Sequence, residues 1–116
     1  MILSNMLKCE LCGDIIESRT RHGFVTCKCG TFSIDGGNYY RRILIHDVSR
    51  TLHDCIDLSV TVDIDSLDEL SITKDKGGRT IFEYLGYQYS YHSTVTAHLL
   101  KTYEKMRLRK ERKKSV

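Results

Sequence analysis

The chain has 116 residues, of which 41% are hydrophobic and 28% are charged, and its formal net charge is +3. This length fits one modest domain or a small module joined to a second element, and the composition excludes global disorder. No apolar run is long enough to span a membrane, and the amino terminus lacks the basic leader and long apolar stretch of a secretory signal. We therefore expect a cytoplasmic protein without a membrane partner, in which clustered cysteines are metal ligands more often than disulfides.

Residues 1–45 alternate short β-like runs with glycine turns and contain two pairs of cysteines. The pairs occur in CELCG at residues 9–13 and in CKCG at residues 27–30. Two thiolates three positions apart can bind one ion, while the glycine that follows allows a tight turn. The one-residue spacer of the second pair is less usual but can still chelate. The sequence therefore predicts one structural Zn²⁺ ion, bound by Cys9, Cys12, Cys27 and Cys29.

Other residues near this cluster offer weaker alternatives. His22 is the only rival ligand nearby, and we interpret it as a turn residue because four cysteines already complete a tetrahedral shell. Redox chemistry by the C-x-x-C pair is less favoured, since no thioredoxin-like βαβ pattern surrounds it. Cys55 is most simply a small, buried apolar residue. A closed shell of four thiolates has no open coordination position, so the predicted site would support folding and not catalysis.

The same region contains a longer signature. Its elements are CGDIIES from Cys12, RHGFV from Arg21, CKCG from Cys27, DGG from Asp35 and YYRR from Tyr39. This combination resembles a family of short, functionally uncharacterised proteins of phages and bacteria. The resemblance covers about the first third of the chain and brings no known activity. It implies a phage or prophage context and a zinc-ribbon-like fold.

The middle of the chain, residues 46–91, is predicted to be a small β-rich region. Alternating apolar residues predict one strand with one buried face, formed by Ile56, Leu58, Val60, Val62 and Ile64. Ser66 and Glu69 have the spacing of a capping box, which predicts a short helix. The run KDKGGR predicts a turn, and TIFEYLGYQYSY predicts a strand with a bend or bulge at Gly86.

Residues 92–116 are predicted to form a basic helix and tail. From about Ser93, an apolar stripe recurs at helical spacing in Val95, Leu99, Tyr103 and Met106. This stripe would dock on the β portion and end after Leu108. From Lys101 onward the chain has eight basic and two acidic residues, a net charge of +6, so an electrostatic partner should meet this segment first.

Two groups of residues are candidates for binding nucleic acid or another partner. The first combines stacking and phosphate-binding groups in Tyr40, Arg41 and Arg42. The second comprises the helix cations Lys105, Arg107, Arg109, Lys110, Arg112 and Lys113. The alternatives are a packed tyrosine with solvated arginines, and a charged terminus that only confers solubility. Tyr87, Tyr89 and Tyr91 alternate and would form either a stacking face or a sheet face that the helix covers.

The sequence predicts an α+β protein with an N-terminal zinc ribbon, a small central antiparallel β portion and a long basic C-terminal helix. His46, Asp47, His53 and Asp54 lack a matching nucleophile motif or phosphate loop, so we do not expect an enzyme. We expect a small phage-type zinc protein that binds nucleic acid or a nucleoprotein machine. The alternative is a phage-encoded inhibitor of a host protein, whose acidic residues between positions 54 and 69 imitate nucleic acid.

Overall fold

The computed structural model describes residues 1–114, with side chains described as far as Arg112. The chain divides into two compact units, one comprising Ile2–Thr61 and the other comprising Met1 and the chain from Val62 onward. Both units contain small antiparallel sheets, and the second ends in a long helix, which confirms the predicted α+β class. The division between the two units falls between residues 61 and 62.

Short strands make up the first unit. They are β1 (Ile2–Ser4), β2 (Met6–Cys9), β3 (Ile15–Glu17), β4 (Val25–Thr26), β5 (Phe32–Asp35), β6 (Arg42–Ile45), β7 (Cys55–Asp57) and β8 (Val60–Thr61). Their antiparallel sheets have the orders β3-β2-β7, β4-β5-β6 and β1-β8. The runs IIES, GFVTC and TFSID provide β3, β4 and β5, which confirms the hairpin pattern predicted around the cysteines.

The core of the first unit joins two hairpins, because β2 contacts β5 and β3 contacts β4. Its buried residues are Leu7, Cys9, Ile16, Cys27, Phe32 and Ile34. Two of the four clustered cysteines are therefore core residues, and Cys12 packs against the same cluster. The cysteine site is thus part of the packing that holds the hairpins together.

A buried polar network fixes the turn that contains Gly36 and Gly37. The side-chain amide of Asn5 donates to the carbonyl oxygens of Asp35, Gly37 and Tyr40 over 3.0, 3.2 and 3.3 Å. The backbone N–H of Gly37 donates to Ser18 Oγ over 3.0 Å. Buried carbonyl groups need hydrogen-bond donors, and the side chain of one asparagine supplies a donor to three carbonyl groups of this turn.

The single strand predicted between residues 56 and 64 is wrong. β7 pairs with β2 and β8 pairs with β1. The two strands are separated by Leu58 and Ser59, which belong to neither. Ser59 Oγ accepts a hydrogen bond from Met6 N over 2.9 Å and donates to Met6 O over 3.1 Å. The serine hydroxyl therefore satisfies the backbone N–H and C=O of Met6, next to the end of the pairing between β2 and β7. Ile56 and Leu58, predicted to be buried, are exposed.

The second unit contains a meander followed by a helix. Its elements are β9 (Leu70–Lys74), β10 (Thr80–Tyr84), β11 (Tyr87–Tyr89) and α1 (Ser93–Lys114), with sheet order β11-β10-β9. The strand predicted over residues 80–91 is a hairpin instead, since both Leu85 (φ 52°) and Gly86 (φ 84°) have positive φ. Such a two-residue turn reverses the chain and matches the twist of the flanking strands.

The short helix predicted near Ser66 is a single 3-10 turn, Leu67–Glu69, and Ser66 makes no capping hydrogen bond. Ser66 N and Oγ instead donate to Asp63 Oδ1, each over 2.9 Å. A capping box does form elsewhere, between Thr51 and Asp54 at the 3-10 turn Leu52–Asp54. The hydroxyl of Ser66 therefore bonds within the local turn at Asp63 and does not cap a helix, a common alternative for serine.

Helix α1 has the predicted docking stripe. Val95 and Leu99 are buried, and Tyr103 and Met106 are half-buried at the same helical spacing. The stripe extends beyond Leu108, where the sequence predicted its end, because Lys110, four residues after Met106, continues it as a half-buried residue. Within residues 1–114, no helix combines the length and the apolar character that crossing a bilayer requires.

Candidate metal centre and basic helix face

Two tight turns position the four cysteines. Cys9 ends β2, and the backbone N–H of Gly13 donates to its carbonyl oxygen over 2.8 Å. In the second turn, Gly30 N donates to Cys27 O over 2.9 Å. The two glycines have φ values of 76° and 78°, a conformation that is unfavourable for residues with a Cβ atom. The glycine after each cysteine pair therefore allows the chain to fold back around the sulfur atoms.

The sulfur atoms of Cys9, Cys12, Cys27 and Cys29 all lie within 4.8 Å of one another. Cys29 Sγ lies 3.6 Å from Cys9 Sγ and 3.6 Å from Cys27 Sγ. The four cysteines are thus brought together as predicted, and the group could hold one metal ion. The alternative ligand His22 is exposed and is not part of the cluster.

The surroundings of the four thiols differ. Burial raises the pKa of the Cys9 thiol to about 12, whereas hydrogen bonding from Thr31 lowers the pKa of Cys29 to about 6. Thr31 Oγ1 lies 3.2 Å from Cys29 Sγ, and Phe32 N donates to Cys27 Sγ over 3.4 Å. Thr31 therefore favours the thiolate of Cys29, and both sulfur atoms of the second pair contact polar groups.

Cys55 lies beside the cluster without joining it. It pairs with Cys9 across the β2–β7 ladder, yet its Sγ donates to the carbonyl oxygen of Leu52 over 3.4 Å. Burial raises the pKa of this thiol. Cys55 is half-buried and packs against the core, which is close to the role expected of a small apolar residue.

Residues 1–45 match the family model described as a domain of unknown function, DUF7695. The match includes both cysteine turns and the turn at Gly36 and Gly37, and it ends with β6. The resemblance to an uncharacterised family over the first third of the chain is confirmed to that extent. No curated protein and no solved structure matches the chain.

The first group of predicted binding residues lies at the start of β6. Arg42 forms a bidentate ion pair with the buried carboxylate of Asp35, with Nε–Oδ1 and Nη2–Oδ2 distances of 3.2 and 2.5 Å. Arg41 forms an ion pair with Asp57. Tyr40 is 38% exposed. Both guanidinium groups are therefore held by carboxylates of the same unit.

The cations of α1 occupy two different environments. Lys110 Nζ contacts Asp68, and Arg107 Nε lies 3.6 Å from Glu111 Oε1. Lys105, Arg109 and Arg112 are exposed. The side chain of Lys113, also predicted to bind a partner, lies outside the described residues. Lys110 is thus half-buried beside a carboxylate, whereas the other four cations lie at exposed positions.

One exposed cation of the helix, Lys101, was missing from the predicted binding residues. Together with three of the exposed predicted cations it forms a row spaced by 4, 4 and 3 residues, which we call the basic stripe: Lys101, Lys105, Arg109 and Arg112. This spacing puts its members on one helix face, rotated by roughly a third of a turn from the docking stripe. The helical spacing of basic residues was the signal in the sequence that could have identified Lys101.

The alternating tyrosines do not form one open face. Tyr87 is 70% exposed, whereas burial raises the pKa of Tyr89. Tyr91 lies beyond the end of β11 and packs edge-on against Phe82, with ring centroids 5.6 Å apart. Packing therefore accounts for Tyr89 and Tyr91.

The histidine and aspartate residues considered as catalytic candidates take part in local structure. His46 Nε2 lies 2.7 Å from the buried Ser33 Oγ. Asp47 Oδ1 accepts hydrogen bonds from Ser49, which lower the pKa of Asp47. These contacts fix the loop that follows β6.

Proposed function

We propose that the chain is a non-enzymatic binding module, in which one structural zinc ion stabilises the first unit and the basic stripe binds nucleic acid. The observation that carries the nucleic-acid proposal is the row of exposed cations on one face of a helix whose other face is docked. A fixed row of cations releases counterions from a phosphate backbone when it binds, which drives association without sequence readout.

The cysteine cluster supports zinc as the metal. Zinc prefers four sulfur or nitrogen ligands in a tetrahedron with Zn–S distances near 2.3 Å, which corresponds to sulfur–sulfur separations of about 3.8 Å. The observed separations of 3.6 Å, and the 4.8 Å limit for the whole group, fit that requirement. Since four thiolates leave no coordination position open, the ion would support folding.

The setting of the protein is part of the same proposal. Two cysteine turns on adjacent hairpins favour a zinc-ribbon-like fold for residues 1–45. The resemblance of the cysteine segment to phage and bacterial proteins favours a phage-type protein that acts in a host cytoplasm.

Inhibition of a host protein by an acidic surface has less support. Among the acidic residues that would imitate nucleic acid, Asp57 pairs with Arg41, Asp63 bonds to Ser66 and Asp68 contacts Lys110. Two of these carboxylates are therefore in ion pairs with cations of the same chain, and the third is held by hydrogen bonds. Capture of one host protein from lysate, surviving nuclease treatment, would favour inhibition over nucleic-acid binding.

Fluorescence anisotropy with labelled oligonucleotides tests the proposal. One variant replaces Lys101, Lys105 and Arg109 with glutamine. A matched control replaces three exposed cations of the β9–β10 hairpin of the same unit, Lys74, Lys76 and Arg79. Both variants lose three positive charges, so net charge alone cannot distinguish them.

We expect wild-type affinity to fall steeply between about 50 and 200 mM salt, as phosphate contacts require. The stripe variant should lose at least about tenfold in affinity at low salt, and the hairpin variant no more than about twofold. Absent or salt-insensitive wild-type binding, or equal losses in the two variants, would overturn the proposal.

A further inference from the structure

We infer that the basic stripe selects B-form duplex DNA over single strands and over duplex RNA. This inference rests on the proposed function, since it names the class of nucleic acid that the same surface binds. Charge complementarity identifies the partner as a polyanion. The geometry of the stripe and the residues beside it on the helix then favour duplex DNA over single strands and over duplex RNA.

The stripe is a rigid array. Lys101 and Arg112 are eleven positions apart on one helix, a rise of roughly 16 Å at 1.5 Å per residue. Duplex DNA presents one charge per about 1.7 Å of its axis, so each stripe cation can find a phosphate within that length. Lys110 contacts Asp68, and Tyr103 borders a groove with Leu67 and Leu70, so the helix that carries the cations is placed on its own unit before binding. A preformed row suits a preformed backbone, because association then restricts side chains but does not have to order either backbone.

The helix lacks the groups that single strands require. Proteins that bind single strands stack successive bases on aromatic side chains. Within Ser93–Lys114, Tyr103 is the only Phe, Tyr or Trp residue, and it belongs to the docking stripe. The positions beside the stripe or between its members are occupied by Thr94, Ala97, Thr102 and Leu108, and by His98, which is half-buried. The stripe can therefore contact phosphates but offers no exposed Phe, Tyr or Trp ring on which unpaired bases could stack.

Groove dimensions separate DNA from RNA. A helix with its side chains is about 10–12 Å across and fits the B-form major groove, which is about 12 Å wide. The major groove of A-form RNA is deep and too narrow for side chains to read. Glu104, Arg107 and Glu111 are exposed on the other side of Leu108 from the stripe. The basic stripe is therefore the only uniformly basic edge of the exposed surface of α1. We expect this edge to contact the phosphates of one DNA strand along the side of the major groove.

Anisotropy titrations of the full chain test the inference with three probes of one sequence: a 20-base-pair DNA duplex, its single DNA strand and the corresponding RNA duplex. We expect the DNA duplex to bind at least about tenfold more tightly than either other probe. The slope of log affinity against log salt should lie at about −3 to −4 for four phosphate contacts. Lys105→Gln should make this slope shallower by about one, and the matched Lys76→Gln should leave it unchanged.

The outcomes separate this inference from the function on which it rests. Salt-dependent binding that requires Lys105 but favours the single strand or the RNA duplex, or ranks all probes equally, overturns the preference for DNA and leaves nucleic-acid binding intact. A DNA preference that Lys105→Gln and Lys76→Gln reduce equally overturns the assignment to the stripe. No binding to any probe at low salt overturns both proposals.

Discussion

Lys110 Nζ lies 2.6 Å from Asp68 Oδ2, which connects the carboxy-terminal part of α1 to the 3-10 turn Leu67–Glu69. The Lys110 side chain is only 19% exposed, whereas that of Asp68 is 77% exposed. The two residues border a groove that Leu67, Leu70 and Tyr103 also line. A cation from the basic segment therefore extends the docking stripe of the helix and is shielded from solvent.

We predict that Lys110→Met has little effect on either stability or nucleic-acid binding. The ion pair is partly exposed, so its loss should cost about 0–1 kcal/mol, and the methionine retains the apolar stem. Urea denaturation should show a nearly unchanged midpoint, and affinity should stay within about twofold of wild type. A loss of affinity as large as that of Lys105→Gln would place Lys110 on the binding surface instead.

Serine substitutions should distinguish metal ligands from the neighbouring thiol. We predict that Cys29→Ser abolishes stoichiometric zinc and unfolds the first unit, because binding to structural zinc sites supplies folding free energy. Elemental analysis of protein purified without chelator, with far-UV circular dichroism, measures both effects.

The matched control is Cys55→Ser, which changes the thiol paired with Cys9 in the β2–β7 ladder but outside the sulfur cluster. It should retain one zinc ion per chain. Retention of metal and fold by Cys29→Ser would contradict the proposed site, as would loss of metal from Cys55→Ser alone.

Gly36→Ala should destabilise the first unit by about 2–4 kcal/mol. Gly36 has a φ of 105°, and a Cβ atom there would lie 1.9 Å from the carbonyl oxygen of Tyr40. The matched change is Gly13→Ala, at a φ of 76° with no atom within 4 Å of the added Cβ. It should cost only the backbone strain of about 1–2 kcal/mol. Equal losses in chemical denaturation would show that the clash with Tyr40 relaxes.

The grouping of the four cysteines was predictable because each pair is local in sequence. A cysteine pair followed by glycine specifies a turn and two ligands at once, so only the pairing of the two turns depended on tertiary structure. Asn5 shows the opposite case. Its amide reaches carbonyl groups 30 to 35 residues away, and no sequence pattern around Asn5 indicates those partners.

Errors in the middle of the chain arose because alternation does not show where a strand ends. The apolar residues from Ile56 to Val62 alternate through the break at Ser59, where a side-chain hydroxyl replaces ladder contacts. The hairpin at Leu85 and Gly86 was missed for a related reason. Turns with two positive φ values usually carry Asn-Gly or Asp-Gly, whereas Leu85 adopts φ 52° without such a signal.

The start and the docking face of helix α1 were predictable, yet its extent beyond Leu108 and the contacts of its cations could not be assigned from sequence alone. Helical spacing separates the basic stripe from the docking stripe. It does not show that Lys110 contacts Asp68, 42 residues away in the chain. The contact between Lys110 and Asp68 depends on the position of the 3-10 turn Leu67–Glu69 in the folded unit.

Asp63 should make stability depend on pH in acid. Hydrogen bonds from the backbone and side chain of Ser66 lower the pKa of Asp63 below its ordinary value of 3.8. A carboxyl group with a lowered pKa in the folded state stabilises the fold when ionised, so its contribution is present above about pH 4 and is lost as pH falls through the folded-state pKa. We predict that Asp63→Asn is less stable than wild type at pH 7 and that this difference shrinks toward pH 3.

Urea denaturation at pH 7, 5, 4 and 3 measures the difference between variant and wild type, in which effects common to both proteins, such as loss of metal in acid, cancel. Asp65→Asn is the control, because this exposed neighbour offers the same change in charge without the bonds to Ser66. A stability difference for Asp63→Asn that stays constant over this pH range, or that Asp65→Asn reproduces, would show that the Ser66 hydrogen bonds do not favour the ionised carboxylate.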